Sequence, residues 1–317
     1  MQVAASLFFF PHQTLSLSSK TLITLFDHSF PLSPEIPFII IDTSFLCPLR
    51  KHPIRCKSNY MEIFIWLSHV FFVVLWPIKT NGMKKLVVLT GAGMSAESGI
   101  STFRDSGGLW DTYNVEDVAT PEGWARNPQL VTDFYNTRRR ELLNVKPCRG
   151  HELLAQLEQD YDVEIITQNI DNLHEQAGST KVCHLHGELM KVTSSWDPNN
   201  PHFIETLPSD HIDVKIGDKA KDGSQMRPFI VWFGEAVPNI EVAAELSSKA
   251  DIYLIIGTSL NVYPAAGLIH YVPEGCPIYL IDPKPVPWNS THRFRHIMKG
   301  ASEGMEEFIQ ILKETKN

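Results

Sequence analysis

Cysteine is scarce in this chain of 317 residues. Its five thiols belong to Cys47, Cys56, Cys148, Cys183 and Cys276, and no two of them form a C-x-x-C pair. An odd, widely spaced set argues against a disulfide framework and against a zinc site built from cysteine. A reducing compartment therefore fits the chain best, and we expect a cytoplasmic protein.

Positive charge is also in short supply. Twenty-eight Lys and Arg residues face 36 Asp and Glu residues, which gives a formal net charge of −8. Since nucleic-acid binders usually present a basic surface, this balance argues against a nucleic-acid partner. With 43% hydrophobic residues, 20% charged residues and a mean hydropathy of −0.10, the chain has an ordinary soluble composition. Its length suits one large α/β domain or two smaller domains.

Glycine is almost absent from the first 82 residues. This segment holds one of the 18 glycines, Gly82, and ten of the 17 phenylalanines, and a second methionine, Met83, opens the remainder. Its most apolar run, from Ile63 to Ile78, falls short of the ~20 residues that a membrane-spanning helix needs, so we expect no membrane partner. The segment could be a targeting or anchor sequence, which would change the location, a disordered tail, or the result of a start codon placed too early. We treat residues 1–82 as an extension outside the fold.

From Met83 onward, apolar strands alternate with helical segments. This alternation predicts an α/β fold with a parallel sheet and right-handed crossovers. The predicted strands are Leu86–Leu89, Val163–Thr167, Phe229–Phe233, Ile252–Ile256 and Ile278–Ile281. The predicted helices are Pro128–Val145, Gly150–Gln159, Asn239–Ser248 and Glu303–Lys313.

A glycine-rich turn follows the first predicted strand. In Gly91-Ala92-Gly93, small residues allow a close approach of the backbone to a pyrophosphate, although a tight turn without a ligand is an alternative. A hydride-transfer dehydrogenase would carry an acidic residue at the end of a second strand about 20 residues on. Here the loop 101–110 takes that place, and its Gly, Arg and aromatic residues favour a cover over a cofactor.

Polar residues follow two further predicted strands. Asn169 and Asp171 come directly after the strand that ends at Thr167, where they could bind an amide and a ribose hydroxyl or cap the next helix. Gly257-Thr258-Ser259 repeats the arrangement of a strand followed by a phosphate-binding loop, and Asp282 follows the next apolar run.

Two histidines stand in the segment Cys183-His184-Leu185-His186-Gly187. If the segment is extended, His184 and His186 share a face, but the absence of a third ligand nearby argues against a metal. A histidine followed by glycine beside a nucleotide site is a candidate general base, while a structural role is the alternative.

These motifs together resemble the sirtuin family. The resemblance covers residues 83–317 and rests on five segments in family order: GAGMSAESGISTFRDSGGLW (91–110), TQNID (167–171), HLHG (184–187), VWFGEAVP (231–238) and GTSLNVYPAA (257–266). It implies a Rossmann-like, doubly wound parallel sheet with a smaller inserted domain at about 112–150 and 188–228. It also implies an NAD-dependent protein-lysine deacylase that releases nicotinamide, free lysine and 2′-O-acyl-ADP-ribose.

The resemblance implies a role for each matched residue. NAD would contact Gly91, Ala92, Gly93, Ala96, Phe103, Arg104 and Trp110. Its nicotinamide side would contact Gln168, Asn169, Ile170 and Asp171, and its adenosine side Gly257, Thr258, Ser259, Asp282, Lys284 and Ala301. His186 would be the general base, with Asn169 as a second catalytic residue. Val231, Trp232, Phe233 and Gly234 would pair with an extended acyl-lysine peptide of the substrate protein.

The chain departs from the family at the zinc site. Most sirtuins carry two C-x-x-C pairs after the catalytic histidine, whereas residues 194–226 contain no cysteine. We therefore expect no metal, and we expect apolar residues to hold this region together: Trp196, Phe203, Ile204 and Ile212.

The helix predicted from Pro128 suggests which acyl group is removed. Phe134, Arg138 and Leu142 recur every four residues, so Arg138 stands where an apolar residue is due, while Arg139 and Arg140 are expected to face solvent. Arg138 could pair with a structural acid, or with Tyr135 it could bind a carboxylate at the end of the acyl chain. The Y-x-x-R pair resembles class III sirtuins, which implies desuccinylation and demalonylation with weaker deacetylation.

Mono-ADP-ribosyl transfer and a non-catalytic sensor of NAD or ADP-ribose remain alternative functions.

Overall fold

The computed structural model describes residues 82–101, 113–288 and 290–316, together with the backbone of three strands before them. Met1–Gly82 and Met83–Asn317 form two compact units. The first contains an antiparallel sheet in the order β1-β3-β2, formed by β1 (Ile39–Ile40), β2 (Tyr60–Leu67) and β3 (Val70–Pro77). The apolar run considered as an anchor thus contributes to two paired strands. No helix among the described residues has both the length and the apolar character to cross a membrane.

The described residues of the second unit contain nine strands in two sheets. They are β4 (Lys85–Thr90), β5 (Asp162–Thr167), β6 (Val182–His184), β7 (Gly187–Ser194), β8 (Glu205–Thr206), β9 (Met226–Ile230), β10 (Ile252–Ile256), β11 (Ile278–Ile281) and β12 (Phe294–Ile297). The larger sheet has the order β12-β11-β10-β4-β5-β6, and all of its neighbouring strands are parallel. The predicted Rossmann-like fold is therefore confirmed.

Helices cover both faces of the larger sheet. The described helices are α1 (Gly93–Ala96), α2 (Val115–Val118), α3 (Pro121–Arg126), α4 (Pro128–Leu142), α5 (Arg149–Gln156), α6 (Leu173–Gln176), α7 (Ile240–Ser248) and α8 (Ala301–Lys316). Val88 of β4 packs with Leu154 of α5 and Phe308 of α8, whereas Leu89 on the other face packs with Ala243 of α7. Because both faces are buried, the strands read as unbroken apolar runs.

The strand order changes direction between β4 and β10. From β4 the chain proceeds outward to β5 and β6 on one side, and then from β10 to β11 and β12 on the other. In doubly wound sheets, ligands bind beyond the carboxyl ends of the strands at such a switch point. The segments that follow β4, β5, β6 and β10 therefore meet at one edge.

The smaller sheet corrects one predicted strand. Phe229–Phe233 was expected to belong to the parallel sheet, but the strand there is β9, which ends at Ile230 and pairs antiparallel with β7. Helix α4 packs on this sheet through Phe134, which joins a buried cluster with Leu189 and Ile230.

Two expectations about the small sheet region are wrong. The side chain of Trp196 is 87% exposed, so it contributes nothing to a core, although Ile212 is buried as expected. Arg139 does not face solvent but is fully buried. Its guanidinium donates to the carbonyl oxygens of Leu189 and Ile212, at 2.8 and 3.5 Å, and so ties α4 to β7 and to the segment beyond β8.

A polar network occupies the region where the family carries its zinc cysteines. The buried hydroxyl of Ser194 accepts hydrogen bonds from the amides of Trp196 and Asp197, both at 3.0 Å, and donates to Asp222 at 2.5 Å. Ser224 lies 3.0 Å from the same hydroxyl. Hydrogen bonds thus connect the end of β7 to the loop before β9. No group of three or more metal-ligating side chains occurs within residues 82–101, 113–288 and 290–316.

Candidate active site

The glycine turn after β4 packs directly on the turn after β10. The Gly91 amide donates to the Ile256 carbonyl at 3.0 Å, and the Gly93 amide donates to the Gly257 carbonyl at 2.9 Å. A Cβ atom at Gly93 would lie 2.6 Å from the Cα of Gly257, and Gly257 itself has a φ of +61°. These glycines are therefore required because two backbone segments touch, which brings both predicted phosphate-binding turns together.

Asn169 and Asp171 converge on the glycine turn through one serine. The side-chain amide of Asn169 donates both to the Gly91 carbonyl and to the Ser95 hydroxyl, each at 3.0 Å. Because both amide protons are used, its carbonyl oxygen is the atom that Asn169 can offer to a ligand. Ser95 in turn donates to Asp171 at 2.9 Å, and the other Asp171 oxygen accepts the Leu173 amide at 3.1 Å. Asp171 therefore also binds the first amide of α6, although the N-cap residue is Asn172, and its contact with a ribose stays a prediction.

His186 lies in the turn between β6 and β7, where a hydrogen bond to Gln168 fixes which ring nitrogen carries the proton. Its Nδ1 donates to the Gln168 carbonyl at 2.9 Å, so in the neutral ring Nε2 carries a lone pair. Burial lowers the pKa of His186, although the Gln168 carbonyl opposes this shift. The side chain of Gln168 donates to the Thr258 hydroxyl at 3.1 Å, which joins the turn after β5 to the turn after β10.

His184 has a different environment from its neighbour two residues on. Its Nδ1 donates to the Asn169 carbonyl at 3.2 Å, and its Nε2 lies 2.8 Å from the Glu175 carboxylate. Burial lowers the pKa of His184, but the hydrogen bond and charge of Glu175 outweigh it, so the net shift is upward. His184 therefore supports the loop of Asn169 through a hydrogen-bond contact at each ring nitrogen.

The other described residues that were predicted to contact the cofactor differ in their exposure. Gly91 and Thr258 are buried, Ala92, Gly93, Gln168, Ile170, Gly257 and Asp282 are half-buried, and Ala96, Ser259 and Lys284 are exposed. Asp282 directly follows β11, and its Oδ1 accepts the Lys284 amide at 2.8 Å. Ala301 is buried at the start of α8 and packs against Gly150. Phe103, Arg104 and Trp110 lie outside the described residues.

The polar groups at this edge suit a dinucleotide. The amide oxygen of Asn169 and the carboxylates of Asp171 and Asp282 can accept from ribose hydroxyls and a carboxamide, while the hydroxyls of Thr258 and Ser259 can donate to phosphate. The glycines in the two turns have no side chains that could cover the backbone beside these polar groups. The residues present therefore fit NAD.

The segment predicted to bind peptide begins beside His186. The amide of Val231 donates to the His186 carbonyl at 3.0 Å, that of Trp232 to Glu235 at 2.8 Å, and that of Phe233 to the Ala119 carbonyl at 3.0 Å. These three donors are already used inside the chain. A peptide that pairs with Val231 or Phe233 would therefore use their carbonyl groups.

Tyr135 is connected to this segment through Trp232. The indole of Trp232 donates to the Tyr135 hydroxyl at 3.1 Å, and both side chains are buried. Burial raises the pKa of Tyr135, so its hydroxyl keeps a proton that it can donate. Arg227 lies over the Trp232 ring, 3.4 Å from its centroid, and forms an ion pair with Glu235 at 2.8 Å.

Arg138 lies one turn further along α4, against the Phe134 ring at 5.6 Å. Its Nη2 donates to Glu141 at 2.7 Å, a carboxylate on the same helix whose side chain is half exposed. Its Nε is buried and has no partner among the described residues. Glu141 is the structural acid that the sequence left open, but it engages only part of the guanidinium.

Several residues of the site carried no separate signal in the sequence. Ser95 lies within the glycine turn, and its partners Asn169 and Asp171 are more than 70 residues away. Glu235 lies within a family segment, yet its bond to the Trp232 amide depends on the turn that follows β9. The sequence signal that could have found Ser95 and Glu235 is that both belong to segments matched to the family.

Comparison with known proteins places these motifs among close relatives. Residues 91–264 match the family described as "Sir2 family". A protein of Bacteroides thetaiotaomicron named "NAD-dependent protein deacylase" is 67% identical over 230 residues, which are 73% of this chain and 98% of that protein. Among solved structures, a mutant Sir2 homologue in complex with ADP ribose has a TM-score of 0.66 at 37% identity, covering 74% of this chain and 93% of that one. A Sir2 mutant with deacetylated p53 peptide and 3′-O-acetyl ADP ribose has a TM-score of 0.60 at 30% identity, covering 73% and 94%.

Proposed function

Because the chain belongs to the Sir2 family, we propose that it is an NAD-dependent protein-lysine deacylase that prefers succinyl- and malonyl-lysine to acetyl-lysine. NAD supplies an activated carbon, C1′ of the ribose that carries nicotinamide, which the acyl oxygen of the substrate can attack. The products are nicotinamide, free lysine and 2′-O-acyl-ADP-ribose. The sequence relationship to the Bacteroides protein supports the reaction class, and the side chains at the strand ends support the roles below.

The observation that carries the proposal is the fixed tautomer of His186. The Gln168 carbonyl holds the proton on Nδ1, and burial keeps the ring neutral near pH 7, so Nε2 can take a proton from a ribose hydroxyl. Asn169 is held at its side chain by Gly91 and Ser95 and presents its oxygen to the same ribose. A polar site that is arranged before the ligand binds needs no reorganisation as charge develops.

The path from His186 to α4 supports an extended acyl-lysine peptide as substrate. Val231 is bonded to the His186 backbone, and Trp232, the next residue, is bonded to Tyr135. An acyl-lysine that reaches the base past this segment therefore directs its acyl chain toward α4. The likeness to a Sir2 structure that contains a p53 peptide supports a peptide in this position.

The acidic-acyl preference rests on Tyr135 and Arg138. The Tyr135 hydroxyl accepts from Trp232 and retains its own proton to donate, and Arg138 has a buried, unpartnered Nε. The exposed Arg138–Glu141 pair is of a kind that contributes about 0–1 kcal/mol, so a substrate carboxylate can displace Glu141 at little cost. Arginine then offers a planar pair of donors to that carboxylate.

Replacing Arg138 with methionine tests this preference. The Arg138→Met variant should lose about 2–5 kcal/mol of discrimination for acidic acyl groups, roughly 30-fold to several thousand-fold in relative kcat/KM, while deacetylation is spared. Mass spectrometry of succinyl-, malonyl- and acetyl-lysine peptides measures the three rates together, and any mass gain of ADP-ribose on protein would reveal transferase activity instead.

Arg140→Met is the matched control. Arg140 lies two residues away on the same helix and pairs with Asp213 on the surface, so this variant should keep the wild-type acyl preference. If Arg138→Met removes acetyl and succinyl groups in wild-type proportion, Arg138 has a structural role and the acyl assignment is wrong.

A cytoplasmic location also belongs to this proposal. Cys148, Cys183 and Cys276 are free thiols in the structure, as is usual in reducing compartments. Cell fractionation of the full-length protein, with marker proteins for cytoplasm, membranes and organelles, tests this location. Enrichment in a membrane or organelle fraction would contradict it and would favour a targeting or anchor role for residues 1–82.

A further inference from the structure

Two fully buried histidines lie behind the glycine turn and take no part in the roles given above. His151 of α5 is 0% exposed and His174 of α6 is 1% exposed, and their rings meet edge to face with centroids 4.8 Å apart. Nε2 of His151 and Nδ1 of His174 are buried without a protein partner among the described residues. Since unpaired buried polar atoms are costly, a pair of them on adjacent rings needs an explanation.

The hydrogen bonds of His174 fix its proton. The Thr90 hydroxyl donates to the Thr167 hydroxyl at 2.8 Å, so its only proton is used. Nε2 of His174, 3.2 Å from the Thr90 oxygen, must then be the donor, which leaves Nδ1 as an acceptor. Thr167 also accepts the backbone amide of Asn169 at 3.0 Å.

The bonds of His151 fix its proton as well. The thiol of Cys148 donates its only proton to the Met94 carbonyl at 3.5 Å, so Nδ1 of His151, 3.2 Å from the same sulfur, is the donor and Nε2 carries a lone pair. One water molecule could donate one proton to this Nε2 and the other to Nδ1 of His174, which would satisfy both unpaired nitrogens. Burial lowers the pKa of His151 to about 4 and that of His174 well below its ordinary value, so both rings are neutral and each has one donor and one acceptor.

We propose that a single buried water site between the imidazoles of His151 and His174 donates to both rings and completes a hydrogen-bond relay through Thr90 and Thr167 that positions Asn169 for NAD. From this water the hydrogen bonds run through His174 and Thr90 to Thr167, which accepts the backbone amide of Asn169 while Gly91 and Ser95 hold its side chain. The relay residues act through Asn169 and are positioning residues. The inference rests on the proposed function in one respect, the role of Asn169 toward NAD.

Variants of Thr90 test the relay. Thr90→Val keeps the size of the side chain but removes the donor to Thr167 and leaves the Nε2 proton of His174 without an acceptor. We expect the Kd for NAD, measured by calorimetry, and the KM for NAD to rise by roughly 5- to 10-fold, with the KM for acyl-lysine peptide unchanged. Thr90→Ser restores the hydroxyl and should return both values to within about twofold of wild type.

The matched control is Thr193→Val, which removes another buried hydroxyl, one that donates to the Pro198 carbonyl in the small sheet region. It should leave NAD affinity unchanged even if it lowers the melting temperature. If Thr90→Val lowers only the melting temperature and binds NAD as wild type does, the relay is wrong. Should Thr90→Val fail to fold, His174→Gln, whose amide can still donate to Thr90, and His174→Phe, which cannot, provide the same contrast.

Nitrogen NMR of the wild-type protein without NAD gives an independent readout. Both histidines should be neutral at pH 7, with the proton on Nδ1 of His151 and on Nε2 of His174. A proton on Nδ1 of His174 would reverse the direction of its hydrogen bonds and overturn the proposal. Wild-type protein that binds no NAD would instead refute the proposed function, whereas NAD binding that is insensitive to Thr90→Val would refute the relay alone.

Discussion

Replacing Ser194 with alanine should destabilise the small sheet region by about 2–4 kcal/mol. The buried hydroxyl accepts the amides of Trp196 and Asp197, and its loss leaves two partly buried donors without an acceptor, each at about 1–2 kcal/mol. For a unit of this size, each kcal/mol corresponds to roughly 2–4 °C, so we expect the melting temperature to fall by roughly 5–15 °C. Deletion of the hydroxyl adds no strain, because alanine is smaller than serine.

Urea unfolding followed by fluorescence and circular dichroism measures this change. Ser248→Ala is the control, because the Ser248 hydroxyl also bonds to the backbone, as a donor to the Glu245 carbonyl, but on an exposed helix surface. The same experiment tests the expected absence of a metal: exhaustive chelation should change neither the unfolding midpoint nor the activity. A Ser194→Ala midpoint within experimental error of Ser248→Ala would refute the role of the polar network, and stoichiometric zinc in the purified protein would refute the zinc-free account.

Two further predictions concern the base and the extension. His186→Ala should fold and bind NAD but lose turnover by ~10²–10⁴-fold, and unchanged deacylation would exclude His186 as the base. In the wild type, burial lowers the pKa of His186 from 6.5, so the neutral base is lost only on the acid side: kcat/KM should fall as the pH drops through a value below 6.5 and should show no His-dependent loss above it. A chain that starts at Met83 should be soluble and active, since Met83–Asn317 is a compact unit by itself, and an insoluble or inactive product would show that residues 1–82 support the fold.

The strands β4, β5, β10 and β11 of the larger sheet could be predicted because their signal is local, whereas the edge strands β6 and β12 were not predicted. Residues Ile252–Ile256 are all buried, so the sequence of β10 is apolar throughout. The apolar run that contains β9 carries the same local signal, yet it pairs with β7. The choice of partner depends on contacts that are distant in the sequence, so composition alone assigned β9 to the wrong sheet.

Local and long-range signals also differ at the candidate site. Asn169 and His186 could be predicted as site residues because each follows a strand end within a motif. Arg139 was misassigned because its acceptors, the carbonyls of Leu189 and Ile212, lie 50 and 73 residues away. Trp196 was misassigned for the complementary reason: an apolar residue predicts burial only on average, and the hydrogen bonds that the amides of Trp196 and Asp197 donate to Ser194 hold this segment without burial of the indole.

The most direct test of the proposed reaction follows all three products of the wild-type enzyme at once. Purified protein, NAD and a succinyl-lysine peptide should yield unmodified peptide, nicotinamide and 2′-O-succinyl-ADP-ribose in equal amounts, and faster than the acetyl-lysine peptide yields its counterparts. Loss of the succinyl group without NAD, or consumption of NAD with ADP-ribose attached to protein in place of the acyl-ADP-ribose, would contradict it.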